Sequence, residues 1–153
     1  MVQPGEGECL FLSLDDGAVR GETSVGFGGP KTLRRESAIF IKKNPELKID
    51  GLGGETLRAA IKSEKNMEIE PYVREMRRPG RWGGTIEIAV CAHLKKVRID
   101  VYVPAAARFK LIAGFGSVTA SYTISVVYKN QAHYDGLEVG VYGWQPVCHN
   151  HAQ

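Results

Sequence analysis

The sequence predicts an α+β fold with a small, mostly antiparallel sheet packed by helices. Segments with apolar residues at helical spacing fill the first two thirds of the 153 residues, and segments alternating with period two fill the last third. No internal repeat or low-complexity tract breaks that order. A hydrophobic fraction of 43% suffices for one core, so residues 1–153 read as a single domain rather than a disordered chain.

Cys9 to about Leu14 reads as the first turns of a buried helix, with Asp15-Asp16-Gly17 ending it. Gly17, Gly21, Gly26, Gly28, Gly29 and Pro30 make residues 17–30 read as a mobile, glycine-rich loop. A helix from about Leu33 to Lys43 follows, with Thr32 as its N-cap and Leu33, Ser37, Phe40 and Ile41 on one face. Asn44-Pro45 ends it, because the residue before proline avoids helical angles. Residues 47–54 connect to a helix over about Glu55–Glu64, carried by Leu57, Ala60 and Ile61. Pro71 suits the first turn of the next helix, which shows Tyr72, Val73 and Met76 and stops at Pro79-Gly80. Trp82-Gly83-Gly84 opens a helix over Thr85–Lys95, with Ile86, Ala89, Val90 and Leu94 as its stripe and Lys95-Lys96 complementing its dipole. Residues 97–103, 108–113 and 123–128 carry strand signals, and 139–142 gives a shorter fourth one.

Charge and composition exclude several classes. Twenty basic against 17 acidic residues leave a net +3, too balanced to indicate nucleic acid. No uncharged apolar run is long enough for a membrane span. Glu6, Glu8, Asp15 and Asp16 interrupt the N-terminus, so no signal peptide is expected. Three irregularly spaced cysteines argue against a disulfide framework and for a reducing, intracellular and cytoplasmic setting.

Cys9 follows the turn Glu6-Gly7-Glu8 at the start of a helix. Unpaired backbone N–H groups converge there, and the positive end of the helix dipole favours thiolate over thiol. The same amides suit the oxyanion of a tetrahedral intermediate. His133 and Asp135 lie far along the chain at i and i+2; on an extended segment they share a face, with Cα atoms roughly 6–7 Å apart. That spacing lets a carboxylate hold one imidazole nitrogen while the other takes the thiol proton. Taken singly, Cys9 is as well read as a small buried helix residue and His133 as a turn-capping histidine.

Together these blocks resemble the ovarian tumour (OTU) deubiquitinases. The family carries Asp-Gly-x-Cys-Leu/Phe-Phe at its nucleophile, and here the segment reads Glu6-Gly7-Glu8-Cys9-Leu10-Phe11. Its central helix opens Trp-Gly-Gly, as at Trp82-Gly83-Gly84 before Ile86-Glu87-Ile88-Ala89. Val97-Arg98-Ile99-Asp100-Val101-Tyr102 looks like the strand that follows, and Ile124 to Leu137 looks like the closing strand, loop and His-Tyr-Asp ending. The resemblance implies an OTU-like cysteine protease fold and one catalytic domain that hydrolyses the bond after the C-terminal Gly-Gly of ubiquitin. Cys9 is then the nucleophile, His133 the base and then acid, and Asp135 its orienting group. The backbone amides of Glu6, Gly7, Glu8 and Cys9 form the oxyanion hole, and Trp82 and Gly83 line the substrate groove. Ubiquitin or polyubiquitin is the implied partner, with no metal or organic cofactor, no nucleic acid and no membrane.

Three features depart from the family. Glu6 stands where aspartate is usual, only eight residues precede Cys9, and the 17–30 segment is unusually rich in glycine. The short lead fits an excised domain or a compact variant, and the size suits a viral or microbial enzyme acting in host cytosol as well as a host one. Two alternatives stay open: a non-catalytic ubiquitin-binding module, toward which Glu6 leans, and a thiol protease acting on a ubiquitin-like modifier. Elsewhere, His93 and Cys91 read as structural, and Cys148, His149 and His151 as a tail without a second ligand cluster. Arg74, Arg77, Arg78 and Arg81 read as a solvated helix end, and Gly26-Phe27-Gly28-Gly29 lacks the lysine spacing of a phosphate loop.

Overall fold

The computed structural model describes residues 9–20, 27–81, 83–129, 133–140 and 143–147. Five helices precede five strands: α1 (Cys9–Arg20), α2 (Pro30–Lys43), α3 (Leu57–Lys65), α4 (Ile69–Met76), α5 (Thr85–Lys95), then β1 (Arg98–Ala105), β2 (Arg108–Phe115), β3 (Thr123–Lys129), β4 (His133–Gly140) and β5 (Gly143–Val147). The strands form one sheet in the order β2-β1-β3-β4-β5. β1 and β3 run parallel, and the other three pairings are antiparallel. The predicted α+β class and mostly antiparallel sheet are borne out.

The core lies between this sheet and the helices. Ile99 and Val101 of β1 and Ile124 and Val126 of β3 alternate inward and are buried. α5 is the central helix: every residue from Ile86 to Ala92 is buried, so it is covered on all sides rather than along one stripe. Its bounds match the expectation. α1 buries Leu10, Phe11, Leu14 and Ala18, and it crosses β3 so closely that a Cβ on Gly17 would sit 2.6 Å from Ile124 Cγ2. The Tyr122 hydroxyl donates to Gly17 O and fastens the same crossing.

That packing corrects the reading of residues 17–30 as one loop. Gly17 to Arg20 are helical, because α1 continues over β3 where glycine alone permits the approach. The segment's other end is also fixed, since Asp15 Oδ1 accepts from Phe27 N–H at 2.8 Å and Gly29 N–H at 3.1 Å. Residues 21–26 lie outside the described residues. α2 likewise starts earlier than expected. Pro30 opens it after Gly29, so Thr32 is inside the helix rather than its N-cap.

Other boundaries follow the sequence closely. Thr56 caps α3 by accepting from Ala59 N–H at 3.1 Å, and Asn66 and Lys96 end α3 and α5 in the left-handed conformation. The fourth strand begins at His133 rather than Val139, and the fifth, Gly143–Val147, was not anticipated. Pro146 lies within β5, an edge strand, where a missing N–H is tolerated.

Candidate active site

α1 and the start of β4 meet at the site. Among the described residues, β5 pairs with β4 from Gly136 onward and not at Tyr134. α1 meets β4 there. Tyr134 N–H donates to Cys9 Sγ at 3.4 Å, and Ser13 Oγ donates to Tyr134 O at 3.1 Å. Cys9 and Ser13 are four residues apart and share a helix face, so one face of α1 satisfies both backbone groups of one strand residue. Cys9 is 3% exposed and Ser13 fully buried. The chain neighbours of Tyr134 are His133 and Asp135, paired in register with Lys129 and Val127 of β3. The backbone carrying the predicted histidine and carboxylate thus flanks the amide that touches the thiol, across 125 residues of sequence.

A second segment closes on α1 from the other side. Gly83 is buried, and a Cβ there would lie 2.6 Å from Leu10 Cδ2 and 3.3 Å from Phe11 Cε2. The glycine is required because the two residues after Cys9 occupy the space a side chain would need. Gly84, extended at φ −147° and ψ −153°, precedes α5 and meets open space instead. That space is a cavity of about 640 Å³ bordered by Gly83, Gly84, Ile88, Phe115, Tyr128 and Tyr134. Gly83 and Tyr134 therefore belong both to the cavity and to the surroundings of Cys9. Tyr128 and Tyr134 pack with ring centroids 4.9 Å apart, and burial pushes the Tyr134 phenol's pKa up.

α5 also carries a buried carboxyl, Glu87. Glu87 Oε1 and Oε2 sit 2.6 and 2.7 Å from the Tyr72 hydroxyl, which donates to the carboxylate. Burial pushes Glu87 up to about 7, with the Tyr72 hydrogen bond opposing it, and burial beside Glu87 raises Tyr72 as well. Cys91 on the same helix is fully buried, and burial pushes its thiol up to about 12 despite the contact with Ser37 Oγ at 3.3 Å. It is a core residue, as expected.

Glu6, Gly7, Glu8 and Trp82 lie outside the described residues, as do Cys148, His149 and His151. Among the described residues no group of three or more His, Cys, Asp or Glu is arranged to hold a metal, and no helix is long and apolar enough to cross a membrane. His93 is exposed, with its ring tilted against Phe40 at a centroid distance of 5.4 Å. Within the arginine run, Arg78 and Arg81 pair with Glu75 at 3.3 and 3.0 Å. Ser13 and Tyr134 lie inside the blocks that carry the resemblance, but no role is read for them or for Tyr128 from the sequence. Ser13 carried a usable signal, since it lies one helical turn beyond Cys9 on the same face.

The model of the OTU-like cysteine protease family matches residues 4–136, and the chain belongs to that family. Among curated proteins it is similar to the RNA-directed RNA polymerase L of Crimean-Congo hemorrhagic fever virus, at 24% identity over 140 residues. It is also similar to an ovarian tumor domain-containing deubiquitinating enzyme of Arabidopsis thaliana, at 28% over 139 residues. Those matches take in 90% and 88% of this chain but only 3% and 41% of the relatives' own lengths. Among solved structures, the Hazara virus OTU bound to ubiquitin aligns with a TM-score of 0.64 at 15% identity, covering 97% of this chain and 80% of that one. An OTU deubiquitinase from Wolbachia pipientis wMel aligns at 0.62 and 20% identity, covering 85% and 81%. At those identities the likeness establishes the fold.

Proposed function

We propose that the chain is a deubiquitinating thiol isopeptidase that cleaves after the C-terminal Gly-Gly of ubiquitin, with residues 1–153 acting as one catalytic domain. The observation that carries this reading is the 3.4 Å contact from Tyr134 N–H to Cys9 Sγ, because it sets the His133–Asp135 backbone beside a thiol at a helix start. Membership of a cysteine protease family and two relatives named for, or solved with, ubiquitin chemistry support it.

In this mechanism His133 takes the Cys9 proton, with Asp135 holding the imidazole in the required tautomer. The Cys9 thiolate, favoured by the helix dipole and the Tyr134 amide, attacks the carbonyl carbon of the terminal glycine. The oxyanion that forms is held by the backbone amides of Glu6 to Cys9. Collapse breaks the isopeptide C–N bond, and His133 gives its proton to the departing lysine amine. Water then attacks the thioester, losing a proton to His133, and Cys9 leaves as thiolate. Gly83 and Gly84 carry no side chain beside the 640 Å³ cavity, which suits a substrate tail ending in two glycines. Thiolate chemistry of this kind fits a reducing, cytosolic setting.

The test is reaction with a ubiquitin probe carrying a C-terminal electrophile. Wild type should form a covalent adduct and Cys9→Ala none. On a ubiquitin substrate, His133→Ala should lose more rate than Asp135→Ala, because proton transfer matters more than orientation. A folded wild-type protein that leaves the ubiquitin probe unmodified but reacts with a probe of a ubiquitin-like modifier would refute ubiquitin as the substrate.

A further inference from the structure

Arg34 of α2 is a buried cation, 4% exposed, that reaches three elements. Its Nη1 donates to Met76 O at 2.9 Å, at the last turn of α4. Its Nη2 donates to Arg81 O, one residue before the Trp82-Gly83-Gly84 segment. Its guanidinium carbon lies 4.6 Å from the centre of the Phe11 ring, two residues beyond Cys9. Phe11 is fully buried and is also one of the side chains on which Gly83 rests.

From this geometry we infer that Arg34 is a positioning residue that sets the gap between the Gly83-Gly84 wall and the helix carrying Cys9; this rests on the groove reading proposed above. A planar fork with several donors in fixed directions spans two carbonyls five residues apart while its central carbon lies over an aromatic ring. It holds the α4–α5 connection at both ends, since Met76 starts the connection and Arg81 precedes the wall. The thiol is held separately, by Tyr134 of β4. Arg34 thus governs where a substrate tail lies and leaves the reactivity of the thiol alone. Lysine keeps the charge but is a point donor on a flexible stem, so it cannot hold both carbonyls and the ring together.

The experiment compares wild type, Arg34→Lys and Arg34→Gln by two independent readouts. The first is steady-state cleavage of a ubiquitin substrate together with iodoacetamide alkylation of Cys9 followed by mass spectrometry. A misplacement near 1 Å costs up to about 100-fold when it disturbs reacting geometry. Because it falls here on tail binding, KM should rise about tenfold in Arg34→Lys, with kcat within about threefold and alkylation within about twofold of wild type. The second is hydrogen exchange. Amides of residues 77–86 should exchange at least about tenfold faster in Arg34→Lys, with residues 9–18 unchanged. Unchanged exchange at 77–86 would overturn the assignment whether or not ubiquitin is the substrate. So would a loss confined to kcat, or faster exchange across the whole chain, which marks a general fold contact. If wild type does not cleave ubiquitin, the functional reading fails, and the exchange comparison still decides the role of Arg34.

Discussion

Replacing Gly83 with alanine adds one methyl group where Gly83 lies against Leu10 and Phe11 of α1. The new Cβ would lie 2.6 Å from Leu10 Cδ2, whereas carbon atoms rest at about 3.5–4.0 Å. Roughly 1 Å must therefore be gained. Leu10 is 1% exposed and cannot swing outward, and Phe11 Cε2 at 3.3 Å blocks a second direction. Either Leu10 is forced into the packed core, at a cost of about 1–3 kcal/mol, or the wall moves outward by ~1 Å, enough to cost up to about 100-fold in rate. Gly83→Ala should lower the melting temperature by about 3–10 °C in a chain of this size and lower kcat/KM on a ubiquitin substrate by about 10- to 100-fold. Leu10→Ala opens the space that the added methyl needs, so the double variant should lose less stability than the two single losses summed, by at least about 0.5 kcal/mol. A Gly83→Ala protein with wild-type melting and wild-type rate, or strict additivity with Leu10→Ala, would refute the contact as the reason for the glycine.

Ser13→Ala removes the donor to Tyr134 O and leaves a buried carbonyl without it, so it should cost about 1–3 kcal/mol in urea unfolding. By loosening β4 beside Cys9 it should also slow the ubiquitin-probe reaction; equal stability and rate would show that Ser13 merely fills space. Glu87 gives a pH prediction. Its folded value is raised to about 7 from 4.5, so between those values the native state keeps a proton that the unfolded chain releases. Stability from this group is therefore full below about pH 4.5, declines as pH rises, and is lost once pH passes about 7, on the order of 3 kcal/mol in all. Glu87→Gln keeps an acceptor for the Tyr72 hydroxyl and should flatten that decline in melting temperature between pH 5 and 8. An unchanged slope would place the titration elsewhere.

How legible the fold and site were depends on the range of the forces that set each feature. α5 was read to the residue because its signals are local: Gly84 before it, an apolar run within it, and Lys95-Lys96 at its end. α1 was cut short because Asp15-Asp16-Gly17 carries a strong local stop signal, and the force that overrides it is tertiary. Ile124 of β3 leaves room for glycine alone, and Asp15 turns out to anchor Phe27 and Gly29 rather than end a helix. Cys9, His133 and Asp135 could be nominated by residue type and by resemblance, yet no spacing rule relates Cys9 to a strand residue 125 positions further on. Cys9 meets β4 at a backbone amide, Tyr134 N–H, and any residue but proline supplies one. For the same reason nothing in the sequence singles out Arg34. Its partners, Met76 O and Arg81 O, are main-chain carbonyls 42 and 47 residues away, and a carbonyl leaves no mark in the sequence. The glycines mislead in the opposite direction. Gly17 reads as part of a mobile loop and Gly83 as part of a helix opening, but each marks a place where two packed elements leave no room for a side chain, so the substitutions they forbid report rigidity.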